Sequence, residues 1–396
     1  MYEVIIVGSG IVGLVCALLL AKESALRIAI LDATCPELSW SEQNYDSRVY
    51  ALTPASQQVL ENLALWSDIQ AKRSSPFTRM HVWDEKGGGE LIFDHASLNV
   101  PALGYIVEDK LLRSTLLEKL KSFSSIDFLC PLRLTALQEE EEALLLHYQD
   151  ADQPLRCKLL IGADGAHSWV REQAGIALHL EAYQHSALIA EIETEQPHQQ
   201  TASQVFLTGH DFPNGPLAFL PLANKHHCSL VWSTTPQEAE HLFNLNESSF
   251  QALLGEASGF HLGKIQAVSK RQLFPLYERR AARYVKQRLA LIGEAAQTLH
   301  PLAGQGLNLG LADAAFLAEL ILEAFKKDRS FASYLRRYER ARQSEHEIMQ
   351  RTVKLLHALF SSKNKNLALL RNQGFIAVQH LPWLKNFFAR YAMGVS

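Results

Sequence analysis

Three glycine-bearing turns in this 396-residue chain have the residue types and spacing to hold a phosphorylated cofactor. The first is Gly8-Ser9-Gly10-Ile11-Val12-Gly13, with Asp32 nineteen residues beyond its last glycine. Gly8 permits a tight turn, Gly10 lets the backbone approach a pyrophosphate, and Gly13 lets a helix pack closely on a strand. A helix opening at that point offers free N–H groups and a positive dipole end to phosphate oxygens. The Asp32 carboxylate is placed to accept hydrogen bonds from a ribose hydroxyl. The motif by itself leaves NAD and FAD both open.

The second turn lies in Leu159–Arg171, where a short apolar strand delivers Asp164-Gly165 and a helix follows with Arg171 in its first turns. The third runs from Leu289 to Gly310. There an apolar strand ends at Gly293-Glu294, and His300-Pro301 precede Gly304-Gln305-Gly306-Leu307-Asn308. That glycine-rich start predicts a long helix from about Leu307 to Phe325. Glycines 293, 304, 306 and 310 weaken regular structure unless close backbone approach requires them. The helix N-terminus there suits a developing negative charge.

The elements around these turns follow from local patterning. Val4 to Ala21 carries no charge and is long enough to be a marginal transmembrane candidate. Yet no basic segment precedes it, and its interior reads as a strand (Val4–Val7), the glycine turn and a helix (Leu14–Lys22). A second strand, Arg27–Leu31, ends at Asp32. Thr78–Phe93 predicts a hairpin with Gly87-Gly88-Gly89 at its tip. Ile126–Leu160 reads as a meander of short strands, and the acidic run Glu139–Glu142 falls on a surface turn. From Ala187 to Leu273 strands predominate, with one helix expected from Gln237 to Leu254.

The three turns together resemble the FAD-dependent aromatic hydroxylases of the p-hydroxybenzoate hydroxylase type, the class A flavoprotein monooxygenases. Among these the chain is most similar to the ubiquinone-biosynthesis hydroxylases, above all in His300-Pro301-Leu302-Ala303-Gly304-Gln305-Gly306-Leu307-Asn308-Leu309-Gly310. Ser47–Leu52, Gly215–Leu222 and Leu230–Ser233 match as well. The likeness spans roughly residues 3 to 320, and the last 70 residues match loosely. It implies an α/β fold: a Rossmann-like FAD-binding domain, a β-sheet substrate domain and C-terminal helices. The FAD-binding parts would be 1–72, 97–182 and 275–330, the substrate parts 73–96 and 183–274, and the helical region 331–396.

The resemblance also implies roles. Gly8, Gly10 and Gly13 cradle the FAD pyrophosphate, Asp32 holds the adenosine ribose, and Arg48 sits near the pyrophosphate. Asp164, Gly165 and Arg171 belong to the motif used around FAD and the nicotinamide cofactor. Gly293 and Glu294 take the ribityl position, with Glu294 where the family usually has Asp. Pro301, beside His300, lies over the isoalloxazine as the reacting end of the site. Gly304, Gln305, Gly306, Leu307 and Asn308 present backbone N–H groups to the pyrimidine edge. Gln297 stands where many relatives have His. The implied chemistry is hydroxylation of a polyprenylated phenol by O2 through a flavin C4a-hydroperoxide, with NAD(P)H as electron donor. An oxidase, epoxidase or polyprenyl reductase, or a non-catalytic subunit that retains FAD, are the alternatives. No catalytic base stands out; Tyr183, Gln184, His185 and His210 are candidates in the substrate block.

Composition narrows the classes. With 47% apolar and 20% charged residues the chain is an ordinary globular protein, not a disordered or collagen-like one. A net charge of −4 argues against nucleic acid. The five cysteines contain no CxxC and the 16 histidines no HExxH, so no metal is expected. Absence of a disulfide pattern points to a reducing, cytoplasmic setting. The charge is uneven: residues 326–396 carry 14 Lys+Arg against 4 Asp+Glu. Apolar residues recur at helical spacing there, from Ile348 to Phe360, and an aromatic-rich stretch follows from Phe375 to Tyr391. Such a basic, apolar-striped end either packs on the FAD-binding domain as helices with a basic outer face, or rests on the inner face of an anionic membrane or on other ubiquinone-biosynthesis proteins.

Overall fold

The computed structural model describes residues 1–36, 40–85, 89–208, 211–298, 304–361, 381 and 393. The chain opens with β1 (Tyr2–Val7), α1 (Ile11–Glu23), β2 (Ile28–Leu31), β3 (Val49–Leu52), α2 (Pro54–Asn62) and α3 (Trp66–Lys72). It continues through β4 (Ser75–Phe77), β5 (Arg79–Asp84), β6 (Glu90–Asp94), β7 (Gly104–Glu108), α4 (Asp109–Leu120) and β8 (Ile126–Leu129). Next come β9 (Leu134–Glu139), β10 (Leu144–Tyr148), β11 (Leu155–Gly162), α5 (Trp169–Gln173) and the long β12 (Leu178–Thr194). Strands β13 (Thr201–Leu207), β14 (Gly215–Pro221) and β15 (His227–Thr234) precede α6 (Pro236–Asn244) and α7 (Glu247–Ala257). The rest comprises β16 (Ile265–Val268), β17 (Gln272–Ala281), β18 (Val285–Lys286), β19 (Leu289–Leu291), β20 (Gln297–Thr298), α8 (Gly306–Lys326) and α9 (Ala332–Ser361).

Two sheets carry the architecture. In the first, β8, β2, β1, β11 and β19 lie side by side and parallel, so the three glycine turns leave the same edge of one sheet. Parallel strands need crossover connections, and α1 and α4 supply them. Helix α1 is apolar all round and buried from Leu14 to Leu18. This explains the uncharged N-terminal run: a helix sandwiched inside a core needs no polar face. Among the described residues, no helix is long and apolar enough to cross a membrane. The second sheet is mostly antiparallel, in the order β20-β17-β12-β15-β14-β13-β5-β6, with β16 on β12. Its own core is built around Trp232, Phe219, Phe250 and Leu230.

Two expectations need correction. Ile126–Leu129 is not part of the meander; it joins the parallel sheet beside β2, and only β9, β10 and β11 form the up-and-down run. The single helix expected from Gln237 to Leu254 is two helices. The Arg271 guanidinium takes the terminal carbonyls of Leu242 and Leu245, ending the first, and the Asn246 side chain accepts from the Ser249 N–H at 2.9 Å to start the second. A capping asparagine inside a periodic stretch outweighs the apolar period. The expected hairpin is β5–β6, with Met80 opposite Phe93 and Val82 opposite Leu91.

Candidate functional site

At the β1–α1 turn the glycines divide into two kinds. A Cβ on Gly8 would stand 2.4 Å from the Ala163 carbonyl oxygen, and one on Gly13 would stand 2.2 Å from that of Gly8. These two exist so that α1 can sit against β1 and β11. At Gly10 a Cβ would meet nothing within 4 Å. Gly10 is the N-cap of α1 and no side chain caps that helix, whereas α2, α5, α6 and α7 are capped by Thr53, Ser168, Thr235 and Asn246. An uncapped N-terminus facing open space is what an anion needs. Asp32, at the end of β2, accepts from Ser9 N at 2.8 Å and Ser9 Oγ at 2.6 Å through Oδ2, and from Thr34 N at 3.0 Å through Oδ1. The acid is thereby locked to the glycine turn.

The second turn is braced from inside. The Asp164 carboxylate accepts from Ser168 Oγ at 2.5 Å and Val170 N at 3.0 Å, which fixes the start of α5. Burial nonetheless pushes its pKa up. Gly165 has φ +80, with open space where a Cβ would be. Arg171 is buried and donates to the carbonyls of Ala295 at 2.9 Å and Ala166 at 3.0 Å. Its guanidinium therefore ties the second turn to the third, and desolvation lowers its pKa.

The third turn packs on the first. A Cβ on Gly293 (φ +59) would lie 3.2 Å from Val12, and one on Gly310 would lie 2.7 Å from the same side chain. The N-termini of α1 and α8 and the Gly293-Glu294 turn thus gather around Val12. Helix α8 begins at Gly306, has Gln305 at its N-cap without a side-chain hydrogen bond, and follows Gly304 at φ +60. Leu307 leans on the core. The Asn308 side chain is fully engaged: Oδ1 accepts from Ser56 Oγ at 2.7 Å and Thr53 N at 3.1 Å, and Nδ2 donates to Ala51 O at 2.9 Å. Arg48 shares this neighbourhood. Desolvation works against its charge, but Tyr50, Asp109, Glu294 and Asp46 together hold its pKa above the usual value.

The three turns lie against one another at the C-terminal ends of β1, β11 and β19, with Asp32 at the end of the neighbouring β2, the place where open α/β sheets take ligands. The open side of Gly10, the bare N-termini of α1 and α8 and the Asp32 carboxylate beside the glycine turn fit a dinucleotide such as FAD. His300, Pro301 and His210 lie outside the described residues. Of the paired histidines, His226 Nδ1 lies 3.0 Å from the Thr194 carbonyl and His227 Nδ1 lies 2.7 Å from Glu191.

The structure adds residues that sequence reasoning passed over. Asp313, with no exposed surface, accepts from Gly293 N at 3.1 Å, from Arg342 Nε at 2.6 Å, and from His346 Nε2 at 3.0 Å. Arg342 and His346 are themselves buried. The Tyr284 hydroxyl joins His346 Nδ1 at 2.9 Å and donates to Gln297 Oε1 at 2.6 Å. Arg73, beneath the segment leading to Arg48, lies 2.7 Å from the buried Glu108 carboxylate and donates to the carbonyls of Ser41, Glu42 and Asn44. Of these, Asp313 alone carried a sequence signal, a charged residue on the otherwise apolar stripe of α8.

Solved structures share this fold. The p-nitrophenol 4-monooxygenase of Pseudomonas putida superposes with a TM-score of 0.80 at 18% identity, covering 99% of this chain and 98% of that one. A Klebsiella pneumoniae protein solved with FAD and uric acid, HpxO, gives 0.72 at 18% identity over 98% and 97%. These likenesses show that the chain has the fold of those two proteins. The FAD binding domain family model matches residues 1–353. The chain is 34% identical to 3-demethoxyubiquinol 3-hydroxylase of Escherichia coli, over 99% of this chain and 98% of the relative. It is 36% identical to ubiquinone hydroxylase UbiL of Rhodospirillum rubrum, over 99% and 89%, and 31% identical to the human mitochondrial ubiquinone biosynthesis monooxygenase COQ6, over 99% and 92%. The chain belongs to this FAD-binding family, in its ubiquinone-hydroxylase branch.

Proposed function

We propose that this chain hydroxylates a polyprenylated phenol in ubiquinone biosynthesis, using FAD, O2 and electrons from NAD(P)H. The observation that carries the reading is similarity to ubiquinone hydroxylases over 99% of this chain, in which the three glycine turns lie against one another. FAD, when bound and reduced, supplies the oxygen chemistry. The protein's work is binding, orientation and exclusion of water.

Gly8, Gly10 and Gly13 with the α1 N-terminus would take the pyrophosphate, and Asp32 the ribose. Gly293 and Glu294 would take the ribityl chain, with Arg48 close by. The α8 N-terminus from Gly304 to Asn308 would face the pyrimidine edge, where its positive end favours negative charge. Asp164, Gly165 and Arg171 support that wall, and His300 and Pro301 would border the ring. The nine-stranded sheet, residues 73–96 and 183–274 in the main, would cover the ring and hold the phenol.

The basic C-terminal region is assigned to a membrane surface or to other proteins of the pathway, on the cytoplasmic side; its charge supports this. The test is direct. FAD-loaded protein given NAD(P)H, labelled O2 and a geranylated phenol should yield a product carrying one labelled oxygen. Oxygen consumed only as hydrogen peroxide refutes the reading. For the membrane, anionic liposome co-sedimentation should weaken when residues after Ser361 are removed; equal binding refutes it.

A further inference from the structure

The cofactor-side and sheet-side halves meet along β12 and β17, and their pairing is interrupted at the junction. Ala182 faces Tyr277 and Ser186 faces Pro275, so Tyr183, Gln184 and His185 oppose Leu276 alone. At the apex, Gln184 has φ +55, a left-handed conformation that residues other than glycine rarely hold without a reason. Below the bulge, Arg279 and Arg280 pair with Thr298 and Gln297, which follow directly from the Gly293-Glu294 turn. Above it, from Ser186 on, the strand also pairs with β15 in the same nine-stranded sheet. Bulges re-aim side chains and recur beside active sites.

The bulge is held by a buried acid. Tyr183 donates its hydroxyl to Glu278 Oε2 at 2.9 Å, and Glu278 is only 4% exposed. The other oxygen of Glu278 accepts from Gln350 and lies 3.1 Å from Lys354 Nζ, which also reaches Glu181 at 2.8 Å. Gln350 and Lys354 belong to a row on α9, spaced four residues apart, that continues through His346, Arg342 and Tyr338. At its far end the row holds Asp313, and through Asp313 the Gly293 N–H; Tyr338 donates to Leu291 O at 2.9 Å. One helix face thus sets both the cofactor turn and the bulge.

We propose that the Tyr183–His185 bulge is the positioning element for the substrate ring, with Tyr183, fixed by Glu278 and α9, as its positioning residue. The inference rests on the hydroxylase reading above. Hydroxyl transfer succeeds only while the ring carbon is held near the transferring oxygen; a loose ring lets O2 be reduced without product. Gln184, exposed at the apex, carries an amide that both donates to and accepts from a phenol's oxygen substituents.

The experiment compares full-length FAD-loaded wild type, Tyr183→Phe and Gln184→Gly, with a geranylated phenol as probe. Product formed per O2 consumed, KM for the phenol, FAD Kd by fluorescence quenching, and the thermal midpoint are measured. Tyr183→Phe should lower product per O2 by about tenfold and raise KM, with FAD Kd within about twofold of wild type. Gln184→Gly should hold or raise the thermal midpoint, because glycine accepts this φ freely, and still lose coupling. If Tyr183→Phe does not fold, Gln184→Gly decides. Unchanged coupling in the folded variants overturns the inference, as does FAD affinity falling in parallel with coupling. Wild type that makes no hydroxylated product overturns the hydroxylase reading and the inference with it.

Discussion

Replacing Gly10 by alanine separates cofactor binding from folding. The Gly10 backbone, at φ −69 and ψ 170, suits any L-residue, and the added Cβ meets no atom within 4 Å. The folded apoprotein should lose at most about 1 kcal/mol, the usual difference between good and poor N-cap residues. The methyl group would instead occupy space needed for a phosphate to reach the bare N–H groups of α1. Charge-assisted hydrogen bonds contribute about 1.5–3 kcal/mol each. Loss or lengthening of two of them, about 3 kcal/mol, weakens FAD binding by on the order of 100-fold. Gly13→Ala is the control with the opposite signature. Its Cβ would lie 2.2 Å from the Gly8 carbonyl oxygen, so α1 must lift from the sheet, costing about 2–4 kcal/mol in the apoprotein itself. Urea denaturation of both apoproteins and FAD fluorescence titration provide the comparison. Gly10→Ala with wild-type FAD affinity, or with apoprotein stability as low as Gly13→Ala, refutes the reasoning.

Further outcomes follow from the buried charges. Arg342→Leu takes the guanidinium partner from the buried Asp313, leaving it His346 and the Gly293 N–H, and should cost about 3 kcal/mol by urea denaturation, with strong non-additivity against Asp313→Asn. Arg73→Met releases the segment before Arg48 and should cost a similar amount, about 3 kcal/mol, while quickening FAD release in stopped-flow chase. Burial holds the pKa of His198 below its usual 6.5, and its Nδ1 accepts from Gln200 N at 3.0 Å. The unfolded chain therefore takes up protons that the native state refuses. This contribution is complete above pH 6.5 and falls away as the pH drops below that value. Denaturant midpoints measured between about pH 5 and 7 should show that slope, and His198→Gln should flatten it.

The parts of the site legible in the sequence are those whose physics is local. Gly8 to Gly13 announce themselves because turn, close approach and helix packing all act within six residues, and the acid at Asp32 lies on the next strand of the same unit. The start of α8 was legible for the same reason. Ile126–Leu129 was misplaced because an isolated short apolar strand does not say which neighbour it will pair with. The α6–α7 break was missed because apolar periodicity ran straight through Asn246, and the cation that ends α6, Arg271, lies 26 residues from Leu245.

By itself, then, the sequence determined that the chain holds a dinucleotide, with FAD chosen over NAD by the family resemblance: phosphate cradles are short backbone motifs built from residues that few other structures require. Only the tertiary structure decided how the cradle is held. Asp313 and Gly293 are 20 residues apart, Arg342 and Asp313 are 29 apart, and Tyr183 and Glu278 are 95 apart. A buried charge or hydroxyl needs a partner, and which partner it meets is set by the packing of whole helices and sheets. The chain marks Asp313 as a polar residue in apolar company, whereas Arg342 and Glu278 lie among other charged residues. The fold alone shows that they brace the Gly293 turn and the strand junction above it.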